Sequence, residues 1–267
     1  MKTIVIAVAL VAAAGLCVAQ QESTDRITVP LADPSRPAKV IVSCINGRIT
    51  VHTGPNGSIA VEAKGGDSNH RRNADRDGLR RIDMSGSGIS IDQADNTITV
   101  STRAFLTNAD LNLRVPVNTS LKLKSVMGDV AVDGVTGDVE AESTNGRMTL
   151  NNISGSALVH GVNGSIIATF ARVPPDKPMS FSSLNGDIDV TLPADTKARL
   201  KLKTNNGDAY SDFDITLQPQ SANVEESGDR GHRRITIDHS AVGTINGGGP
   251  EIQLVTFNGN IKVRKGH

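Results

Sequence analysis

Aromatic residues are scarce: they make up 2% of the 267 residues, with no Trp, one Tyr (Tyr210) and five Phe. Large rings ordinarily supply much of the buried area in a globular enzyme. A core built almost without them is thin and filled by Val, Ile, Leu and Ala. An excess of charge of one sign is also lacking. Lys plus Arg and Asp plus Glu number 28 each, so no overall field draws the chain to nucleic acid or to an anionic membrane. Cysteine is limited to Cys17 and Cys44. Cys17 falls in an N-terminal apolar run, and one remaining thiol makes no internal disulfide. In the run Val40-Ile41-Val42-Ser43-Cys44 the second cysteine reads as a small buried hydrophobe, with no local feature to lower its pKa and make it a nucleophile. Long stretches with helical periodicity are missing throughout the rest of the chain.

The N-terminus carries the pattern of an export signal. Lys2 precedes an apolar run from Ile4 to Val18, and Ala19 with Cys17 two positions earlier forms a small-residue cleavage pattern. Residues 1–19 are therefore expected to be a signal peptide, with residues 20–267 forming a single elongated β-repeat domain. The run is too short, and wrongly flanked, for a spanning helix. Leu16 stands where a lipid-attachment motif needs a small residue, which disfavours a lipoprotein. No anchoring segment follows Lys265, so the expected location is periplasmic or extracellular, as a soluble or released protein.

Glycine, in contrast, is abundant. Gly128, Gly137, Gly146, Gly155 and Gly164 recur at nine-residue steps. Two positions after each stand Val130, Val139, Met148, Ala157 and Ile166, and four after stand Val132, Ala141, Leu150, Val159 and Ala168. This period-2 alternation marks strands with one buried face. Val126, Val135, Thr144, Ile153 and Val162, two positions before the glycines, are expected to point inward as well. Nine is odd, so a corner must absorb the extra residue, and glycine serves there. The residue before each glycine alternates between Met127, Asn145, Asn163 and Thr136, Ser154, which predicts a coil of roughly 18 residues with two strands and two corners.

The theme continues with wider gaps at Asn185-Gly186, Asn206-Gly207, Asn246-Gly247 and Asn258-Gly259, and at the front with Asn46-Gly47 and Asn56-Gly57. The fold class read from these features is all-β: a β-solenoid of short strands with glycine-containing corners, loose over residues 25–115 and regular over 116–267. Asn-Gly is also a hairpin signal, so an antiparallel β-sandwich is the alternative. Polar loops are expected at Gly65–Arg81 and Gln218–Arg234. Solenoid ends are open strand edges that need capping or burial. Arg26–Thr53 and Asn260–Arg264 are the expected ends, and self-association could run through them.

The stretch from Ala109 to Leu150 (ADLNLRVPVNTSLKLKSVMGDVAVDGVTGDVEAESTNGRMTL), with its Val115-Pro116 step and Gly-Asp-Val units, resembles a bacterial family of exported β-strand-repeat proteins of unknown function labelled as adhesins. Ser180–Pro193, Asn205–Asp214 and Gly243–Lys265 continue the resemblance. It implies a β-solenoid and an extracytoplasmic address, and it brings no catalytic residues.

Several constellations invite a chemical reading. Asp129, Asp138, Asp187 and Asp208 each follow a turn glycine, and stacking could align them as a calcium ladder. Arg147, Ser156 and Ser165 interrupt that ladder, and Gly247-Gly248-Gly249-Pro250-Glu251 does not repeat, so turn hydrogen bonding is the simpler role. Carboxylates for a polysaccharide lyase or hydrolase are plentiful, but sugar-stacking rings are not. Tyr210 and Phe213 are the clustered pair, expected to cap or pack a coil. His52, His70, His160, His232, His239 and His267 show no metal spacing. Arg71, Arg72, Arg76, Arg80 and Arg81 are interleaved with Asp75 and Asp77 and read as a solvated loop, with contact to an anionic envelope polymer as the sharper alternative. The expectation is thus no catalytic, cofactor-binding or metal site and no cofactor. The chain reads as a non-enzymatic extracytoplasmic interaction or structural module whose partner is an envelope or extracellular protein or glycan. A carbohydrate-active β-helix enzyme or glycan-binding protein is the alternative.

Overall fold

The computed structural model describes residues 24–65, 88–102, 109–218, 224–225, 234–235 and 240–266. The expected signal segment, most of the Gly65–Arg81 stretch with its arginines, and His70, His232, His239 and His267 lie outside them. Among the described residues every regular element is a strand. They form a ten-stranded sheet, an eleven-stranded sheet and a small pair, Val224–Glu225 with Arg234–Ile235.

The two large sheets face each other across a single apolar core, and the chain alternates between them. In each sheet eight strands run parallel, giving eight stacked coils. In spatial order, with the second-sheet strand first, the opening three are Thr97–Thr102 with Ala109–Val115, Lys39–Asn46 with Ile49–Thr53, and Ser120–Met127 with Val130–Asp133. The fourth to sixth are Val139–Asn145 with Met148–Ile153, Ala157–Asn163 with Ile166–Phe170, and Met179–Asn185 with Ile188–Leu192. The seventh is Glu251–Asn258 with Ile261–Lys265, and the eighth Ala198–Asn206 with Ala209–Ser211.

This order departs from the chain order at both ends. The Lys39–Thr53 coil is inserted between coils that both follow it in sequence. The Glu251–Lys265 coil is wedged between the sixth and eighth. Asn260–Arg264 is therefore not a solenoid end, and of the segment Arg26–Thr53 only the part in Thr24–Pro30 lies at an edge. The ends are closed by antiparallel strands instead. Ser58–Gly65 and Thr24–Pro30 cover the first sheet beside Ala109–Val115, and Ile89–Ala94 covers the second. At the far end Ser240–Ile245 and Thr216–Leu217 extend the second sheet. Within the two large sheets antiparallel pairing is thus confined to the caps, and the body is the parallel solenoid.

The core is as thin as the composition requires. Inward positions alternate along each strand, as in Leu121, Leu123 and Ser125 or Val139, Ala141 and Ser143. Each buried Val, Ile or Leu contributes about 1.5–3 kcal/mol. Phe170 and Phe181 meet edge to face with centroids 6.1 Å apart, and Phe213 is buried near the eighth coil.

The two corner types differ, which is why the repeat is eighteen rather than nine. At the Asn-Gly corner the positions two before the glycine turn outward: Val126 is 44% exposed, Thr144 is exposed and Val162 half-buried. Only Val135 and Ile153, at the other corner, point inward. The inside of the Asn-Gly corner is taken by a small polar side chain three positions before the glycine. Cys44, Ser125, Ser143, Ser183, Thr256 and Thr204 stack in this row. Ser125 donates to Gly128 O at 3.1 Å, Thr256 to Gly186 O at 3.0 Å and Thr204 to Gly259 O at 3.0 Å. A hydroxyl there satisfies a carbonyl that an apolar residue would leave facing the core.

Candidate interaction surface

Polar side chains on the outside of the coils do structural work first. Asn145, Asn163, Asn185, Asn258 and Asn206 form a ladder along the corner, in which each side-chain amide after Asn145 donates to the Oδ1 of the preceding rung at 2.6–2.9 Å. Three of the four aspartates that follow turn glycines accept backbone N–H groups from the adjacent coil. Asp129 takes Arg147 N at 2.8 Å, Asp187 takes Asn260 N at 2.8 Å and Asp138 takes Ser156 N at 3.1 Å. Cations stand between them, with Arg48 4.0 Å from Asp129 and Lys262 3.7 Å from Asp187. This is an alternation of charge rather than a carboxylate ladder. Among the described residues no group of three or more His, Cys, Asp or Glu is placed to hold a metal.

The remaining candidates are scattered. Cys44 is buried, and burial pushes its thiol up. His52 lies on the first sheet, 4.0 Å from Asp133, and His160 is exposed on the second, its Nδ1 2.8 Å from Ser182 Oγ. Tyr210 and Phe213 do not pack together. Phe213 is buried beneath Lys265, whose Nζ sits 5.3 Å from the ring centroid, whereas Tyr210 is 55% exposed. The Tyr210 hydroxyl donates to Asp208 at 3.3 Å, and the negative charge of Asp208 raises the phenol pKa. Beside it a hollow of 430 Å3 is lined by Tyr210, Ser211, Asp212, Asn260, Lys262 and Arg264.

The outer face of the second sheet brings most together. Parallel register aligns Lys122, Glu140, Leu158, Ser180 and Gln253 in one row and Lys124, Glu142, His160, Ser182 and Val255 in the next. At the third coil the rows are cationic and at the fourth anionic, and they pair: Lys122 with Glu140 at 2.6 Å and Lys124 with Glu142 at 2.9 Å. The Lys124 hydrogen bond holds Glu142 below the ordinary carboxylate range, and Glu142 raises Lys124 in return. From the fifth to the seventh coil the two rows are neutral, and at the eighth they turn cationic again at Lys201 and Lys203. Leu158 is 54% exposed, and the corner row carries Val126, Leu184 and Phe257, each more than two-fifths exposed.

Two hollows sit on this face. One of 600 Å3 is bordered by Lys39, Lys122, Asp138, Glu140, Leu158, Ser180 and Gln253. The other, of 370 Å3, is bordered by Ile45, Lys124, Val126, Glu142, His160 and Val162. A strap, residues 171–178, runs along the rim of the larger one. Its Lys177 reaches back to Asp138 at 2.8 and 3.0 Å. Partial burial pushes the Asp138 carboxyl up, but the bonds from Lys177 and Ser156 outweigh it and hold the group below its ordinary value. Of the apolar corner row, the sequence pattern placed Val126 in the core and did not single out Leu184 or Phe257. The signal was present in the small polar residue that always precedes them by one position.

A two-sheet parallel solenoid, closed at each end by antiparallel strands and marked by a grooved outer face, defines a β-solenoid class of repeat protein. The chain belongs to the Toastrack DUF4097 family, whose model matches residues 17–264. No curated protein matches it. Among solved structures it is similar to a candidate cell adhesion protein from Clostridium sporogenes, at 8% identity and a TM-score of 0.45, over 91% of this chain and 100% of that one. It is also similar to a candidate adhesin from Bacteroides fragilis, at 11% identity and a TM-score of 0.31, over 91% of this chain and 97% of that one.

Proposed function

We propose that this protein is a non-enzymatic extracytoplasmic interaction module that engages another protein through the outer face of its second sheet. The export pattern of residues 1–19 supports the location, and the adhesin names of the structural neighbours agree with it. The observation that carries the reading is the outward apolar row of Val126, Leu184 and Phe257, together with Leu158, beside two adjoining hollows. Contiguous exposed apolar side chains rimmed by polar ones mark protein contact surfaces. Neither hollow is lined by a Phe, Tyr or Trp ring, so neither offers the broad stacking platform a sugar would use.

The test is site-specific photo-crosslinking at Leu158 in the full chain, followed by affinity measurement with the recovered partner. Leu158→Lys with Phe257→Lys is expected to weaken binding at least tenfold, about 1.4 kcal/mol. Leu217→Lys, an exposed control at the capped end, should leave it unchanged. Equal binding by all three proteins, or turnover of a glycan by the wild type, overturns the proposal.

A second reading has one observation of its own. Tyr210 is an exposed ring beside a hollow lined by Asp212, Lys262 and Arg264, an arrangement suited to holding a charged sugar. Loss of glycan binding in Tyr210→Ala, with the second-sheet variants unaffected, would favour it.

A further inference from the structure

The chain contains eight Asn-Gly steps, the sequence in which a backbone nitrogen most easily attacks the preceding side-chain amide. In that reaction the glycine nitrogen bonds to the asparagine Cγ and gives up its proton, and the side-chain nitrogen leaves with it as ammonia. The five-membered imide that results is opened by water at either carbonyl, leaving aspartate or isoaspartate. Glycine is favoured because no side chain hinders the approach. The reaction requires a glycine N–H that is free to turn toward the side chain, and the solenoid ties up most of these groups.

Five of the eight steps are held by the neighbouring coil. Gly47 N donates to Met127 O at 2.9 Å, Gly146 N to Asn163 O at 3.0 Å and Gly164 N to Asn185 O at 2.9 Å. Gly186 N donates to Asn258 O at 2.9 Å and Gly259 N to Asn206 O at 3.0 Å. Each glycine N–H thus points along the stack into the next coil. Gly207 is the glycine of the eighth coil, and among the described residues no further coil follows beyond its corner. Among the described residues its N–H has no acceptor.

The corner around Gly207 is open in a second respect. Positions 205–212 are all exposed, whereas at the fourth coil the chain returns to the core at Met148, two residues after Gly146. The Asn206 side chain is also bound on one side only, donating to Asn258 Oδ1 at 2.8 Å, whereas Asn163 both donates to Asn145 and accepts from Asn185.

We infer that Asn206 is a deamidation site, and that stacking of one coil on the next suppresses the same reaction at Asn46, Asn145, Asn163, Asn185 and Asn258. Asn145 separates the two kinds of protection. Its side-chain amide donates to no neighbour, but Gly146 N–H is engaged, so it stays intact if the backbone bond decides. Asn56 is the internal control outside the ladder: it is exposed in a turn, and Gly57 N–H has no acceptor among the described residues. Asn246 is held differently. Its amide nitrogen, the group that would leave, is clamped to Ala194 O at 3.0 Å and Thr196 O at 2.8 Å. Conversion at Asn206 replaces the donor to Asn258 with a carboxylate, so the terminal rung of the ladder opens and a charge appears two residues from Asp208.

The test uses the unmodified full-length protein, aged at mildly alkaline pH and followed by peptide mapping for the mass gain of amide-to-acid exchange and for isoaspartate. Asn206 and Asn56 are expected to convert on the order of tenfold faster than Asn145, Asn163 and Asn185, the factor set by breaking one backbone hydrogen bond. In denaturant that difference should vanish. Equal rates at Asn206 and Asn145 in the folded protein, or an Asn206 that converts only after unfolding, would overturn the assignment.

Discussion

Gly146 and Gly247 both follow an asparagine, yet they carry different burdens. A Cβ on Gly146 would sit 2.1 Å from the carbonyl oxygen of Gly128, a backbone atom that cannot move without displacing the neighbouring coil. Gly247 has nothing within 4 Å, and its demand is only a left-handed φ of +86°. Gly146→Ala is therefore expected to cost about 3 kcal/mol or more in denaturant unfolding, as overpacking of backbone against backbone. Gly247→Ala should cost about 1 kcal/mol. A similar contrast exists in the inner row of hydroxyls. Ser125 donates to Gly128 O, whereas the buried Ser143 Oγ has no partner among the described residues. Ser125→Ala should lose about 1 kcal/mol, while Ser143→Ala should be neutral or slightly stabilising, because it removes an unpaired buried polar atom. Matched urea melts of the two variants check both signs.

At the scale of the element, the strap at residues 171–178 is held at its start by Ala171 N donating to Ile153 O and toward its end by one ion pair, Lys177 with Asp138. Asp138 is held below its ordinary value of 3.8 and Lys177 is raised above 10.5, chiefly by their mutual hydrogen bond once the burial of Asp138 is offset. The carboxylate contribution is complete above pH 3.8 and fades as pH falls through the lowered folded value. The amine contribution is complete below 10.5 and fades above it. Both side chains are 48% exposed, so the tether is weak and screened by salt. Amide exchange across residues 171–178 should therefore quicken in acid below about pH 4, and Lys177→Met should abolish that step while leaving the strands protected.

The sequence disclosed the coils where they repeat without interruption. From Gly128 to Gly164 the step is constant, and the alternation of Asn or Met with Thr or Ser before the glycine announces two corner types. The rest was hidden by degeneracy. Asn185-Gly186, Asn258-Gly259 and Asn206-Gly207 present nearly the same corner, so nothing in the local pattern says that the second of these coils lies between the other two. The outward turn of Val126 and Val162 was hidden for another reason. A valine beside an alternating strand looks inward unless the preceding Ser125, or Gly161, is recognised as the residue that occupies the inside of the bend.

At the scale of the whole molecule, the inserted coils make stability less divisible than in an ordinary solenoid, where each repeat meets only its sequence neighbours. Deleting residues 250–267 removes a coil from between the sixth and eighth and leaves both of their inner edges without partners. That truncation is expected to lower the urea midpoint far more than the loss of one terminal repeat would. An unchanged midpoint would show that the eighth coil can close directly onto the sixth. The topology also constrains the order of assembly during synthesis. Middle coils such as Val139–Ile153 and Ala157–Phe170 can zip together as they emerge, but Lys39–Thr53 needs Thr97–Val115 and Ser120–Asp133 before it is flanked on both sides. At the other end the eighth coil is made before the one that separates it from the sixth, so a gap must be held open or reopened for Glu251–Lys265. The closing step thus falls to strands translated after both of the coils they separate, and until they arrive the far end remains a chain that can still be threaded, unwound or cleaved.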